Sequence, residues 1–209
     1  MSENDLGEVV ARGYDKVADL YEALESEETP WPRLKRVIEF IEPLPSGSRV
    51  LDLGCGNGIP ATREIAKSHI VTGVDISSEQ IRRAEANVPE ATFRCADVRD
   101  VEFPAVPFDA IVALYLIDNV PADDYPRLFE KVAGWLKPGG RILLSAEPGN
   151  DEGRLYNWLD VPMFINTVPA QVIADALEGA SLDVVELDFE SQVEGERRIE
   201  YAWFVAAKR

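Results

Sequence analysis

Residues 50–58, VLDLGCGNG, constrain this chain more than any other stretch. Val50, Leu51 and Leu53 read as a short apolar strand running into Gly54, Gly56 and Gly58, with a helical pattern following over 59–67. Glycines at such a turn let the backbone press against a ligand and adopt φ > 0. A helix opening there presents unpaired N–H groups. Asp75 closes a second apolar strand, IVTGVD, seventeen residues beyond Gly58. An acid in that place takes the hydroxyls of a ribose. Strand, glycine turn, helix, strand and acid predict the nucleoside-binding half of an α/β protein.

The spacing restricts which nucleoside. A dinucleotide fingerprint needs G-x-G-x-x-G, and its third glycine position is Ile59 here. A phosphate-binding P-loop is excluded because no G-K-[ST] follows. What remains, Gly54-x-Gly56-x-Gly58 with Asp75 after it, resembles motif I of the class I S-adenosylmethionine (SAM)-dependent methyltransferases. GVDIS at 73–77 resembles their motif II, and LKPGGRILLS at 136–145 the stretch entering their fifth strand. YDKVADLY at 14–21 is similar to the Y-D-x-x-A-x-x-Y start of the small-molecule members.

At 209 residues the chain is read as one domain, with 1–45 a helical lid and 147–168 an acceptor-side insertion. No apolar run approaches the length of a membrane span, and MSENDLGEVV carries neither a basic segment nor an apolar core of a leader. The cytoplasm is the expected location. A net charge of −17 opposes binding to polyanionic nucleic acid, which rests on Lys and Arg. Two cysteines and one histidine make a protein-built zinc site improbable, and no metal is expected. Cys55, in the glycine turn, and Cys95, ending a strand, belong to segments too far apart to pair.

Along the chain, helical periodicity covers 4–27, with Tyr14, Val17, Ala18 and Tyr21 on one face. Thr29 is read as the cap of a second helix carrying Leu34, Val37, Ile38 and Ile41. Strands are expected at 49–53, 70–74, 91–95, 108–114 and 141–146, with helices at 59–67, 78–87 and 123–136 between them. Such alternation implies a parallel sheet with right-handed crossovers. Residues 147–168 read as an irregular, aromatic-rich insertion. A helix at 169–177 and two strands at 182–187 and 199–206 follow, the strands antiparallel because only a hairpin-length link joins them.

The resemblance spans nearly the whole chain. It implies a Rossmann-like, mostly parallel seven-stranded sheet of order 3-2-1-4-5-7-6, last strand antiparallel, with helices on both faces. It also implies SAM as cofactor and a small-molecule methyl acceptor. Carried over position by position, Gly54 and Gly56 approach the amino-acid part of SAM, with Asp52 beneath the loop. Asp75 holds the ribose and Ile76 packs on the adenine. Asp97 faces the adenine amino group, and Val98 offers its backbone N–H. Leu114 places a carbonyl near the sulfonium, and Tyr14 and Tyr21 close over the cofactor. The acceptor pocket is assigned Trp158, Met163 and Phe164, with Tyr201 and Trp203 as further members and Trp31 as core or lid. Tyr115 and Asn119 are the candidate catalytic residues.

One departure from the family bears on mechanism. Many relatives carry a histidine just before V-P after strand four; in LYLIDNVP that place holds Asn119. An amide is no general base at neutral pH. The sole histidine, His69, precedes strand two, away from the strand ends where ligands bind. Methyl transfer from a sulfonium works by alignment and exclusion of water, so the expectation is transfer to O or N without a histidine base. Asp118, Asp160 and Glu147 are the carboxylates available as bases. The alternatives are a non-catalytic SAM-binding module, which SAM turnover distinguishes, and a methyltransferase acting on a macromolecule. Against the latter, the N/D-P-P-Y motif of amino-methylating nucleic-acid enzymes is absent.

Overall fold

The computed structural model describes residues 3–27, 32–103, 107–194 and 197–209. Helices α1 (Glu3–Glu27) and α2 (Pro32–Ile41) precede β1 (Arg49–Leu53), α3 (Ala61–Ala66), β2 (Ile70–Asp75), α4 (Ser78–Asn87), β3 (Thr92–Cys95) and β4 (Phe108–Ala113). Then come α5 (Tyr125–Trp135), β5 (Leu136–Ala146), β6 (Asp151–Trp158), β7 (Val161–Thr167), α6 (Ala170–Gly179), β8 (Leu182–Glu194) and β9 (Arg197–Lys208). The expected Thr29 cap and Trp31 lie outside the described residues.

The main sheet has the order β3-β2-β1-β4-β5-β9-β8. Strands β3 to β5 are parallel, and β9 runs antiparallel to both β5 and β8. This is the arrangement that alternation and resemblance imply. Successive side chains of a strand face opposite sides, and both sides are buried. Leu51, Leu53, Ile111 and Leu144 pack with Phe129, Val132, Ile173 and Leu177 of α5 and α6. Val50, Val71, Val112 and Leu143 pack with Val37, Phe40 and Ile65 of α2 and α3. Burying a side chain such as Leu51 or Leu53, at 0% and 1% exposure, contributes about 1.5–3 kcal/mol. In register, Leu53 lies beside Val74 and Ala113, so the loops after β1, β2 and β4 open at one sheet edge. Among the described residues no helix is long and apolar enough to cross a membrane.

Residues 147–168 depart from the irregular insertion expected. β6 and β7 form a separate two-stranded antiparallel sheet. The turn uses Leu159 and Asp160 at φ 50° and 63°, in place of the Asn-Gly or Asp-Gly that announces a two-residue hairpin. Pro162 sits within β7, where proline normally argues against a strand. Asn166 anchors the hairpin: its Oδ1 accepts from Gly153 N at 3.2 Å, and its Nδ2 donates to the Tyr125 hydroxyl at 2.8 Å.

Elsewhere only ends shift. Helix α3 starts after Pro60 rather than at Ile59. The expected helix at 123–136 begins with a 3-10 turn, Ala122–Asp124, and Leu136 already pairs with Phe108 as β5. β8 extends to Glu194 through the polar stretch, because the Arg36 guanidinium of α2 gathers Glu186, Asp188 and Glu190 from alternate positions.

Candidate active site

Gly54 and Gly56 hold φ of 71° and 54°, left-handed backbone that suits glycine. A Cβ on Gly54 would press Leu116 at 3.1 Å, whereas one on Gly56 would meet nothing within 4 Å. The turn therefore packs on one side and leaves its second glycine open. Asp75, at the end of β2, ties the turn down: its Oδ2 accepts from Gly56 N and its Oδ1 from Ser77 N, both at 2.9 Å. Burial raises the Asp75 pKa, against the lowering effect of these N–H groups. Asp52 lies beneath at 2% exposure, accepting from Thr62 Oγ1 at 2.6 Å. Burial pushes its pKa up to about 7; the Thr62 bond opposes this and the Asp75 charge adds to it.

A cleft opens at the carboxyl ends of β1, β2 and β4. Tyr14, Tyr21, Asp52, Gly54, Gly56, Asp75, Ile76, Asp97, Val98, Leu114, Tyr115 and Asn119 all line it. Residues eighty or more positions apart thus converge because β1, β2 and β4 end together and α1 crosses above them.

Trp158, Met163 and Phe164 do not line the cleft. Met163 and Phe164, at 1% and 5% exposure, are buried with Val10 of α1. Trp158 meets Tyr14 and Tyr21 edge-on, each at 5.6 Å between ring centres. The hairpin's apolar face is spent on α1. A Cβ on Gly13 would come within 2.6 Å of Met163 Cε, so a residue unfavourable in a helix gives the hairpin its close approach. Tyr201 and Trp203 also stand behind the cleft, edge-on to Tyr115 at 4.7 Å and 6.0 Å.

Tyr115 adopts φ 54°, uncommon for a bulky residue, and its N–H donates to Ser145 Oγ at 3.0 Å. Asn119 is a connector: Oδ1 accepts from the Tyr14 hydroxyl at 3.0 Å, and Nδ2 donates to the Phe164 carbonyl at 2.7 Å. Asp97 lines the cleft with its carboxylate held by Arg99, at 2.7 Å from Nη2 and 2.8 Å from the backbone N–H. Asp118 accepts from Glu147 N with both oxygens and is kept away from the cleft lining, as are Glu147 and Asp160. Burial raises the Asp118 pKa well above the usual carboxylate range. His69 is outside the cleft as well. Both cysteines are free, and burial pushes the Cys55 thiol up, away from reactivity.

Arg33 of α2 lines the cleft at 9% exposure, its guanidinium 5.0 Å from the centre of the Tyr115 ring. Sequence reasoning missed it, since a lone arginine in a helix start carries no periodic signal.

Residues 50–140 match a family described as methyltransferase domain. Over 157 residues the chain is 33% identical to the 27-O-demethylrifamycin SV methyltransferase of Amycolatopsis mediterranei, covering 65% of this chain and 57% of that protein. It thus spans little more than half the length of this curated relative. A ubiquinone biosynthesis O-methyltransferase of Paracidovorax citrulli is 29% identical over 195 residues, covering 83% and 80%. Among solved structures, a Burkholderia thailandensis 1,6-didemethyltoxoflavin-N1-methyltransferase with S-adenosylhomocysteine superposes with a TM-score of 0.75 at 20% identity, covering 100% of this chain and 91% of that one. Strand order, glycine turn and family match agree: residues 50–140 carry a methyltransferase domain of the SAM-dependent kind.

Proposed function

We propose that the chain transfers the methyl group of SAM to an oxygen or nitrogen of a small molecule, with α1 as its lid. The observation that carries this reading is the open, positive-φ Gly56 bonded to Asp75 inside a cleft roofed by α1. The residues fit the group. The unobstructed side of Gly56 admits the methionine portion, Asp75 accepts from ribose hydroxyls, and Ile76 and Val98 give the adenine an apolar seat. Arg33 supplies a cation for the carboxylate, the cofactor's one anionic group. SAM, when bound, supplies a methyl group already activated by the sulfonium.

The chain's own contribution is alignment and exclusion of water. Tyr14 and Tyr21 roof the cleft, while Leu114, Tyr115 and Leu116 wall it at the end of β4. The one histidine is elsewhere, and Asn119 spends its amide on holding Tyr14 and the hairpin. An acceptor reactive without a strong base, an oxyanion or an amine of low pKa, suits this site. Both curated relatives are named for methylation of small molecules.

The test is calorimetric titration with S-adenosylhomocysteine and with NAD, followed by SAM turnover on metabolite fractions read as a mass gain of one CH2. Binding of S-adenosylhomocysteine with turnover is expected. Binding of NAD alone ends the reading, and SAM binding without turnover on any fraction favours a regulatory module.

A further inference from the structure

Asp15 lies next to Tyr14 on α1, and its carboxylate reaches across to the start of α4. Oδ1 accepts from Ser77 Oγ at 2.6 Å and from the Glu79 backbone N–H at 3.0 Å; Oδ2 lies 3.4 Å from Ser78 Oγ. The first turn of a helix leaves N–H groups unbonded and carries partial positive charge, so an anion there is doubly favoured. Ser77 already caps that turn, its Oγ accepting from Gln80 N at 3.1 Å. Asp15 completes the cap from another element.

The same serine belongs to the nucleoside site. Its backbone N–H donates to Asp75 Oδ1, while Asp75 Oδ2 accepts from Gly56 N. An unbroken hydrogen-bonded chain thus runs from Asp15 of α1 through Ser77 and Asp75 to Gly56. Tyr14 stands one residue away, with its hydroxyl on Asn119. Side by side, these residues fasten α1 at both ends of the cleft, Asp15 over the nucleoside side and Tyr14 over the side after β4.

Other links between α1 and α4 are of a different kind. Arg83 pairs with Asp19 and Glu22, whose side chains are 96% and 51% exposed. Exposed ion pairs contribute little and are screened by salt. The Asp15 contact is a charge-assisted bond to backbone and to a buried serine, which is the stronger class.

We infer that Asp15 is a positioning residue: it latches the lid to Ser77 and thereby holds Asp75 in the orientation that receives the ribose. The inference rests on the proposed SAM site. Occupying Asp75 and closing α1 are then one coupled event, and the latch acts on cofactor affinity more than on the methyl-transfer step.

Hydrogen exchange over residues 6–23 and calorimetry with S-adenosylhomocysteine test this in the intact chain. Asp15→Ala is expected to speed exchange of α1 in the ligand-free protein and to weaken S-adenosylhomocysteine binding about tenfold or more, the scale of a charged hydrogen bond. Asp15→Glu should restore part of the affinity, and Asp19→Asn should change it less than about twofold. Ser77→Ala and Asp15→Ala should be non-additive in affinity, because they cut one chain. If the unaltered protein fails to bind S-adenosylhomocysteine, the site reading falls, while the lid exchange still reports on the latch. If it binds, and Asp15→Ala leaves both exchange and affinity unchanged or adds independently to Ser77→Ala, the latch is refuted.

Discussion

Replacing Asp52 by asparagine separates what the buried carboxylate costs the fold from what it gives the site. Asparagine keeps the shape and still accepts from Thr62 Oγ1, so the change removes a charge and little else. Burial raises the Asp52 pKa from 3.8 to about 7 in the folded protein. Below about pH 4 the carboxyl is protonated both folded and unfolded, and the difference vanishes. Between about pH 4 and pH 7 the unfolded chain releases the proton and the folded one keeps it. Stability then falls as pH rises, by up to about 1.4 kcal/mol per unit. Above about pH 7 both states are ionised and the whole penalty, at most about 4 kcal/mol, is present. Asp52→Asn is therefore expected to be more stable than the parent at pH 8 and equal to it near pH 4.

Thermal melts of both proteins across that range make the measurement. At about 2–4 °C per kcal/mol for a chain of this size, a Tm rise of roughly 8–16 °C is the upper expectation at pH 8. Asp118, also raised by burial, titrates in both proteins and cancels in the comparison, whereas the repulsion between Asp75 and Asp52 is part of what the variant relieves. The charge has a use once a cation enters the cleft: S-adenosylmethionine, positive at sulfur and nitrogen, should bind the variant more weakly at pH 8. A Tm gain equal at pH 4.5 and pH 8 would show that Asp52 ionisation is not what the fold resists.

Asp75→Ala should weaken S-adenosylhomocysteine binding by about 1–3 kcal/mol in calorimetry, since a ribose loses its charged acceptor and Gly56 its anchor. Met163→Ala, at a residue 1% exposed between α1 and the hairpin, should cost about 2–4 kcal/mol in denaturant unfolding; an unchanged midpoint would remove it from the core. His69→Ala should leave kcat within a few-fold, whereas Asn119→Ala, cutting two hydrogen bonds between lid, hairpin and β4 loop, should lower kcat about tenfold. Loss of turnover in His69→Ala that still binds cofactor would overturn the histidine-free mechanism.

β1, β4 and the end of β5 were legible because they are buried on both sides and announce themselves as apolar runs. The positive-φ turn at Gly54 and Gly56 was legible because such backbone admits few residue types. The hairpin of β6 and β7 was not. Its turn places Leu159 and Asp160 at positive φ without glycine, and Pro162 stands within a strand. The partner that stabilises it, the face of α1 with Val10 and Gly13, lies about 150 residues away. Resemblance and apolar, aromatic content suggested a pocket; burial shows Met163 and Phe164 filling the space between two elements. Arg33 and Asp15 escaped for a related reason, since each matters through a neighbour that only the fold brings near.

Asn119 occupies a place where an amide and an imidazole would behave differently. The position must donate to the Phe164 carbonyl and accept from the Tyr14 hydroxyl, which a primary amide does through two atoms in one plane. A neutral imidazole also has one donor and one acceptor, but near pH 6.5 it gains a proton and becomes donor only. With histidine the bond to Tyr14 would weaken in acid; with asparagine it does not titrate. An amide at this place offers no base, and its contact with Tyr14 of α1 does not titrate. The pH dependence of turnover should then follow Asp52, Asp75 and the acceptor itself. On the proposed function, an acceptor that is already anionic or weakly basic suits a cleft in which Asn119 supplies no base.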